Sequence, residues 1–258
     1  MKISVVINTF NADEFLERVL TSVQGFDEIV ICDMYSTDNT VAIAQQFGCK
    51  IVYHEQTGIV EPARAYAISE AANDWVLVID ADELVSDQLK SFLYDHTNYR
   101  SGIVAVQIPR KNYFMGKFMS SAYPNYLLRF FQKDKVIWSS VIHSHPKIDG
   151  NIFTIPKHRK NLALIHLSND SIKVSTEKMN KYTEFEMTRR SAKSYGYLSL
   201  MVEPFIRFMR FYVFKGGFRD GIPGLIWANM AAYYKFISIA KVIESKVKPD
   251  SWDDELKF

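Results

Sequence analysis

Three acids crowd one short stretch, "WVLVIDADEL" (75–84): Asp80, Asp82 and Glu83 follow five apolar residues that read as a buried strand. Charge at such a lip is costly unless it meets a partner. Side chains at i and i+2 of a strand point the same way, so Asp80 and Asp82 can face one ligand. Two carboxylates a few ångströms apart suit Mg²⁺ or Mn²⁺ and leave room for phosphate oxygens. A cation there would neutralise charge developing on a leaving diphosphate. The triplet alone also fits a turn whose aspartates cap backbone donors.

The strand that delivers these acids is one of four: "ISVVI" (3–7), "EIVIC" (28–32), "KIVYH" (50–54) and "WVLVI" (75–79), with helix-like segments between them. Asn11 is expected to cap the first helix, with Glu14 in capping-box spacing and Phe15, Leu16, Val19, Leu20 and Val23 as one apolar stripe. "STDNT" supplies caps for the second helix, and Pro62 suits the first turn of the third. Near-continuous apolar strands alternating with amphipathic helices predict an α/β fold, a mostly parallel sheet covered on both faces. Ligands bind beyond the carboxyl ends of such strands. The loops to inspect are therefore 8–11, 33–38, 55–61 and 80–86. On their own, Asp33 and Asp38 read as loop acids capping the second helix.

Beyond residue 100, "GIVAVQIPR" and "NYLLRFFQK" read as strands that complete the sheet, and from Thr176 the chain reads as helical. Net charge is +2, yet residues 1–95 carry 5 basic and 16 acidic residues while 96–258 carry 26 and 13. The basic half is expected to meet something anionic, although solvated Lys and Arg faces would give the same count. No base-stacking motif or recognition helix supports nucleic acid as the partner. Cys32 and Cys49 are too few for a disulfide framework and fit a reducing, cytosolic compartment. The N-terminus is too short in apolar residues for a signal peptide, and the longest nearly uncharged run, 222–234, falls short of the roughly 20 residues a spanning helix needs. In the tail, Met201, Phe205, Phe208 and Tyr212 fall at helical spacing with Arg207 and Arg210 on another face. That helix either packs as core or lies on an anionic membrane surface.

Taken together, "VVINTFNADEFLERVLTSV", "EIVICDMYSTDNT", "EPARAYAISEAANDWVLVIDADEL" and "KNYFMGKF…YPNYLLRFF" resemble family 2 glycosyltransferases of the GT-A fold, closest to the bacterial lipopolysaccharide-core branch. The helical ending is similar to that branch's C-terminal segment. The resemblance implies a GT-A catalytic domain over 1–175, with a nucleotide-binding half (1–95) and an acceptor half (96–175), and then a helical extension (176–258). Thr9 and Asn11 then match positions lining the nucleotide pocket, and Asp33 matches an acid that contacts the nucleobase, with Tyr35 where the family has Gly. Arg64 matches a phosphate-side Arg, with Ala65 replacing the usual Asn. Asp82 becomes the direct Mn²⁺ or Mg²⁺ ligand, Asp80 serves ribose or the ion's water shell, and Glu83 points away and caps the next segment.

An inverting transfer also needs a base within reach of the acceptor hydroxyl. Relatives show Val-His-Glu, and here "WSSVIHSHPKID" puts His143 at the His and Ser144 where the Glu would stand. His145 and His143 are the leading candidates, with Asp149 and Glu61 as alternatives. A zinc site is disfavoured, since His166 is the one other obvious ligand. The expected activity is transfer of a sugar from a nucleotide-sugar donor, UDP-linked, to a lipid-linked or cell-envelope glycan. The protein is expected to be cytoplasmic and peripheral on the inner membrane. The alternatives are a haloacid-dehalogenase-type phosphatase, against which Leu84 and the late position of the motif argue, and a non-catalytic membrane-surface nucleotide-binding module.

Overall fold

The computed structural model describes residues 1–56, 60–99, 102–138, 146–167, 172–190 and 195–246. It divides into two compact units, residues 1–112 with 123–168, and residues 113–122 with 169–258. The segment 113–122, expected in the catalytic domain, instead clusters with the helical tail.

In the first unit β1 (Ile3–Thr9), β2 (Glu28–Asp33), β3 (Lys50–Tyr53) and β4 (Trp75–Asp80) alternate with α1 (Asp13–Ser22), α2 (Thr40–Gln46) and α3 (Glu61–Ser69). Next along the chain are β5 (Glu83–Leu84), α4 (Asp87–Tyr99) and β6 (Ile103–Phe114). Then come β7 (Lys117–Phe118), β8 (Asn125–Gln132), β9 (Val136–Ile137), β10 (Lys147–Ile148), β11 (Asn151–Thr154) and β12 (Leu164–His166). The strand order is β3-β2-β1-β4-β8-β6-β12-β5, with β11 also on β6 and β9 paired to β10 in a separate ribbon. β1 pairs in parallel with both β2 and β4, and β2 with β3, so four carboxyl ends share one edge. β8 runs antiparallel to β4 and β6, making the sheet mixed.

The two-residue period of the strands explains why both faces are apolar. Val5, Ile7, Leu77 and Ile79 point to the side where Leu16, Val19 and Leu20 of α1 and Leu89 and Leu93 of α4 pack. Val6, Val30, Val76 and Val78 point to the other, against Ala63, Ala67 and Ile68 of α3. Cys32 and Cys49 are free thiols.

Asn11 does not cap α1. The N-cap is Ala12, with no side-chain cap. Asn11 sits at φ 46°, and the first donors of the helix go across to the second loop: Ala12 N–H to Thr40 Oγ1 (2.8 Å) and Asp13 N–H to Asp38 Oδ2 (3.2 Å). A loop acid thus replaces the local cap and ties two strand ends together.

The second unit holds α5 (Ile172–Arg190), α6 (Tyr197–Met209), a π turn (Arg210–Phe214), a 3₁₀ turn (Gly217–Asp220) and α7 (Ile222–Glu244). The stretch "GGFRDGIPG" (216–224) breaks the helical run between α6 and α7. Asp220 is buried and anchors the 113–122 segment: its carboxylate accepts the backbone N–H of Ser120 and of Ser121, each at 3.0 Å, and both hydroxyls. Gly224 permits the close approach of α7 to this turn, since a Cβ there would lie 2.0 Å from the Gly217 carbonyl oxygen. Among the described residues no helix is long and apolar enough to cross a membrane.

Candidate functional site

Parallel strands bring Thr9, Asp33, Tyr53 and Asp80 to one edge: Thr9 lies opposite Asp33, Asp33 opposite Tyr53, and Asn8 opposite Asp80. Asp33 is fully buried. Its Oδ1 accepts the hydroxyls of Thr9 (2.9 Å) and Ser36 (2.6 Å), and its Oδ2 accepts the Ser36 N–H (2.8 Å). Three protein donors therefore make Asp33 an organiser of the 33–38 loop. Asn11 closes the same loop, accepting the Thr37 N–H at 2.8 Å and donating its own N–H to Ser36 Oγ at 2.9 Å. Asp38 accepts from the backbone of Asp13 and Thr40. Burial works against its charge, but these hydrogen bonds and that of the Thr40 hydroxyl hold its carboxyl below the usual range.

Tyr35 takes φ 59°, a left-handed conformation that costs a non-glycine residue about 1 kcal/mol. Its ring is 60% exposed and stacks on Tyr53 at 5.6 Å. The position that the resemblance matches to a Gly thus carries an aromatic ring at a positive φ.

At the end of β4 the three acids separate. Asp80 Oδ1 accepts from Arg64 at 2.8 Å, Oδ2 accepts from Arg129, and Arg110 lies 3.8 Å from Oδ2. Burial opposes ionisation, but Arg129, Arg64 and Arg110 outweigh it and lower the Asp80 pKa to about 2. Arg64, expected to help a helix start hold phosphate, points to this acid and lies 5.6 Å from the Trp138 ring centroid. Glu83 is no bystander. It is fully buried and accepts from Arg110 (2.8 Å), Arg129 (3.2 Å) and the Asp80 N–H (3.0 Å). Its expected outward, capping role is corrected by the two arginines that give a buried carboxylate its partners. Three guanidinium groups face two carboxylates, and the Nε of each arginine has no hydrogen-bond partner.

Asp82 stands apart from that cluster. Its Oδ2 lies 3.2 Å from His166 Nε2, both side chains being partly exposed. The pair exists because β12 zips antiparallel onto β5, with His166 opposite Glu83, and because the Leu167 N–H donates to the Asp82 carbonyl at 2.7 Å. A carboxylate oxygen and an imidazole nitrogen converging at a strand end are a donor set that Mn²⁺ accepts, with further positions left for oxygen ligands. Among the described residues no group of three or more His, Cys, Asp or Glu forms a closed metal cage.

His143, Ser144 and His145 lie outside the described residues. Of the alternatives, Asp149 is an exposed acid 3.8 Å from Lys135 Nζ, and Glu61 opens α3. Arg110, Arg129 and the Asp82 partnership of His166 are not foreseen from the sequence. Arg110 and Arg129 sit inside apolar strands, where a charge in an otherwise buried run is the one available signal.

The mixed α/β sheet thus gathers its charged residues at one carboxyl edge, with loops cross-braced by Asp33 and Asp38 and a partly exposed Asp82–His166 pair. The chain belongs to the family 2 glycosyltransferases: the model described as "Glycosyl transferase family 2" matches residues 4–148. The fold is accordingly the GT-A arrangement, and the protein is a glycosyltransferase. An uncharacterized glycosyltransferase of Rickettsia felis is 27% identical over 96% of this chain and 91% of its own length. The lipopolysaccharide core biosynthesis glycosyltransferase LpsC of Rhizobium meliloti is 27% identical over 99% and 98%. A solved glucosyl-3-phosphoglycerate synthase of Mycobacterium tuberculosis, in complex with Mn²⁺, UDP and glucosyl-3-phosphoglycerate, is 25% identical. It covers 45% of this chain and 44% of its own at a TM-score of 0.36, an overlap too partial to bear on this chain's ligands.

Proposed function

We propose that the protein is a metal-dependent, inverting glycosyltransferase that moves a hexose from a UDP-sugar to a lipid-linked or cell-envelope glycan such as lipopolysaccharide core. The observation that carries this reading is the Asp82–His166 pair, 3.2 Å apart at the end of β4 beside an arginine-bound Asp80. Bound Mn²⁺ or Mg²⁺ would supply charge neutralisation for the leaving diphosphate. Asp82 and His166 hold it, and the imidazole favours Mn²⁺ over the oxygen-preferring Mg²⁺. Asp80, committed to arginines, acts as a positioning group that fixes the β4 end. His166 replaces it as the second partner of the ion.

The surplus guanidinium charge of Arg64, Arg110 and Arg129 draws the anionic donor to this edge. On the nucleoside side, Thr9, Asn11 and Asp33 hold the loops that frame the base, and the exposed Tyr35 and Tyr53 rings offer it a stacking face. His145 or His143 takes the acceptor proton as the hydroxyl attacks opposite the diphosphate. The likeness to LpsC supports a lipopolysaccharide-type acceptor. A phosphatase reading is disfavoured, because its nucleophile would be Asp80, whose two oxygens are both held by arginines.

Asp82→Ala and His166→Ala are each expected to abolish Mn²⁺-dependent transfer while the protein stays folded. Loss with Asp82→Ala and full Mn²⁺ dependence with His166→Ala would remove His166 from the metal site; full activity of both would overturn the mechanism. For the base, His145→Ala or His143→Ala should lower the rate by about 10²-fold or more at unchanged UDP affinity.

A further inference from the structure

Among the described residues, the helical unit carries an exposed apolar surface. α6 contains no buried residue, although its sequence is strongly apolar. Leu198 is 75% exposed, Phe205 62% and Phe214 81%, and Met201, Val202 and Phe218 are exposed beside them. Soluble proteins rarely leave a contiguous patch of this kind in water without a use for it.

Lys215 and Arg219 stand among these side chains in sequence, and Arg210 lies on an adjoining face of the helix, where it lines a cavity with Glu186, Glu203 and Arg207. Arg210, Lys215 and Arg219 are exposed. Lys215 Nζ lies 4.7 Å from the Phe211 ring centroid, and the Arg219 guanidinium 5.5 Å from that of Phe218. The ion pairs described in this unit join Lys235 to Glu203 and Lys241 to Glu184, and leave these three cations out. Burial of part of its side chain lowers the Lys215 pKa, and repulsion from Arg210 and Arg207 adds to it.

Charge decides the occupant. A second copy of this face would bring the exposed cations together, because the nearby acids are turned elsewhere: Glu203 pairs with Lys235, Asp220 is buried against Ser120 and Ser121, and Glu186 lines the cavity behind Arg207 and Arg210. A lipid surface provides what the face lacks, an apolar layer for Leu, Met and Phe and anionic headgroups for Arg and Lys. No described helix is suited to crossing the bilayer, which leaves lying on it.

We propose that the exposed face of α6, continued by Phe214 and Phe218 and flanked by Arg210, Lys215 and Arg219, docks on an anionic lipid surface. The side chains enter the headgroup region with the helix lying in the plane, and the cations meet the headgroups. Docking of this kind is independent of sugar transfer, since it needs neither donor nor metal.

The test is flotation of the full chain with phosphatidylcholine vesicles and with phosphatidylcholine–phosphatidylglycerol vesicles, at low and high salt. The intact protein should float with the anionic vesicles, less so in high salt. Phe205→Glu/Phe214→Glu should stay behind with an unchanged circular-dichroism melt, because both side chains are exposed. Arg210→Gln/Arg219→Gln should bind roughly 30-fold more weakly, at about 1 kcal/mol per cation. Absence of flotation by the intact protein, or equal flotation of the Phe205→Glu/Phe214→Glu form, would overturn the proposal. So would light scattering that shows a dimer dissolved by that double substitution without any lipid binding, which would make the face a contact between copies. UDP-induced thermal shifts on the same preparations report on the transfer site separately.

Discussion

Asp80, Asp82 and Glu83 are three neighbouring acids with three different fates, and the difference lies in their partners. Glu83 and Asp80 are locked by Arg110, Arg129 and Arg64, while Asp82 faces His166. Removing one member of a buried ionic cluster leaves the others without compensation, which costs about 3–5 kcal/mol. Arg129→Met is therefore expected to lower the urea-unfolding free energy by about that amount, since Arg129 contacts both acids. Glu83→Gln should destabilise as well, because an amide oxygen kept on the Asp80 N–H turns the NH₂ donor toward Arg110 and Arg129, which contact the other carboxylate oxygen. Equal stability of Arg129→Met and the unaltered protein would show the cluster to be a bystander to folding. Asp82 and Asp80 are legible as ligand-edge acids from the strand that carries them. Their partners are not, because Arg129 and His166 lie far along the chain and only strand pairing brings them in.

At the scale of elements, Asp220 is the clamp between the turn before α7 and the 113–122 segment. Its carboxyl lies below the usual carboxylate range: burial opposes the charge, and hydrogen bonds from Ser120 and Ser121 outweigh burial. With a folded pKa below the unfolded value of about 3.9, its contribution is complete above that value and is lost as pH falls through the folded value. Urea unfolding tracked downward from about pH 5 should show this loss, and Asp220→Asn should flatten the dependence. Asp220→Ala should cost at least about 2 kcal/mol, because the Ser121 N–H and hydroxyl would be buried without an acceptor. The alternation of strands and helices is plain from apolar periodicity. The start of α1 is not, because its donors are met by Thr40 and Asp38 rather than by the adjacent Asn11.

For the whole molecule, the proposed reading puts metal and donor at the sheet edge, where Arg110, Arg129 and His166 of the basic remainder meet the acids of the first part, and a lipid surface at the helical unit. A ligand that binds the folded state stabilises it by RT ln(1 + [L]/Kd), about 2.7 kcal/mol at a hundredfold excess over Kd. A thermal-shift panel of UDP, GDP, CMP and dTDP, each with and without Mn²⁺, should therefore give its largest shift for UDP with Mn²⁺. In Asp82→Ala the Mn²⁺-dependent part should vanish and a smaller metal-free shift remain. A larger shift with another nucleotide would reassign the donor, and no Mn²⁺ effect would remove the metal from the mechanism.

The amino-acid sequence by itself determined the parallel part of the sheet, its carboxyl edge and the arrival of Asp33, Asp80 and Asp82 there. Those features arise from periods of two and 3.6 residues and from local turn chemistry. Only the tertiary structure decided which acid escapes the arginines, since charge balance at β4 depends on arginines and a histidine delivered by strands distant in sequence. It also decided the exposed face of the tail. Met201 and Phe205 are exposed, whereas Phe208 and Tyr212, which the helical spacing puts on the same face, stack at 5.2 Å and are half-buried. The π turn at 210–214, closed by the Lys215 N–H to the Arg210 carbonyl, shifts the register that a regular helix would have kept.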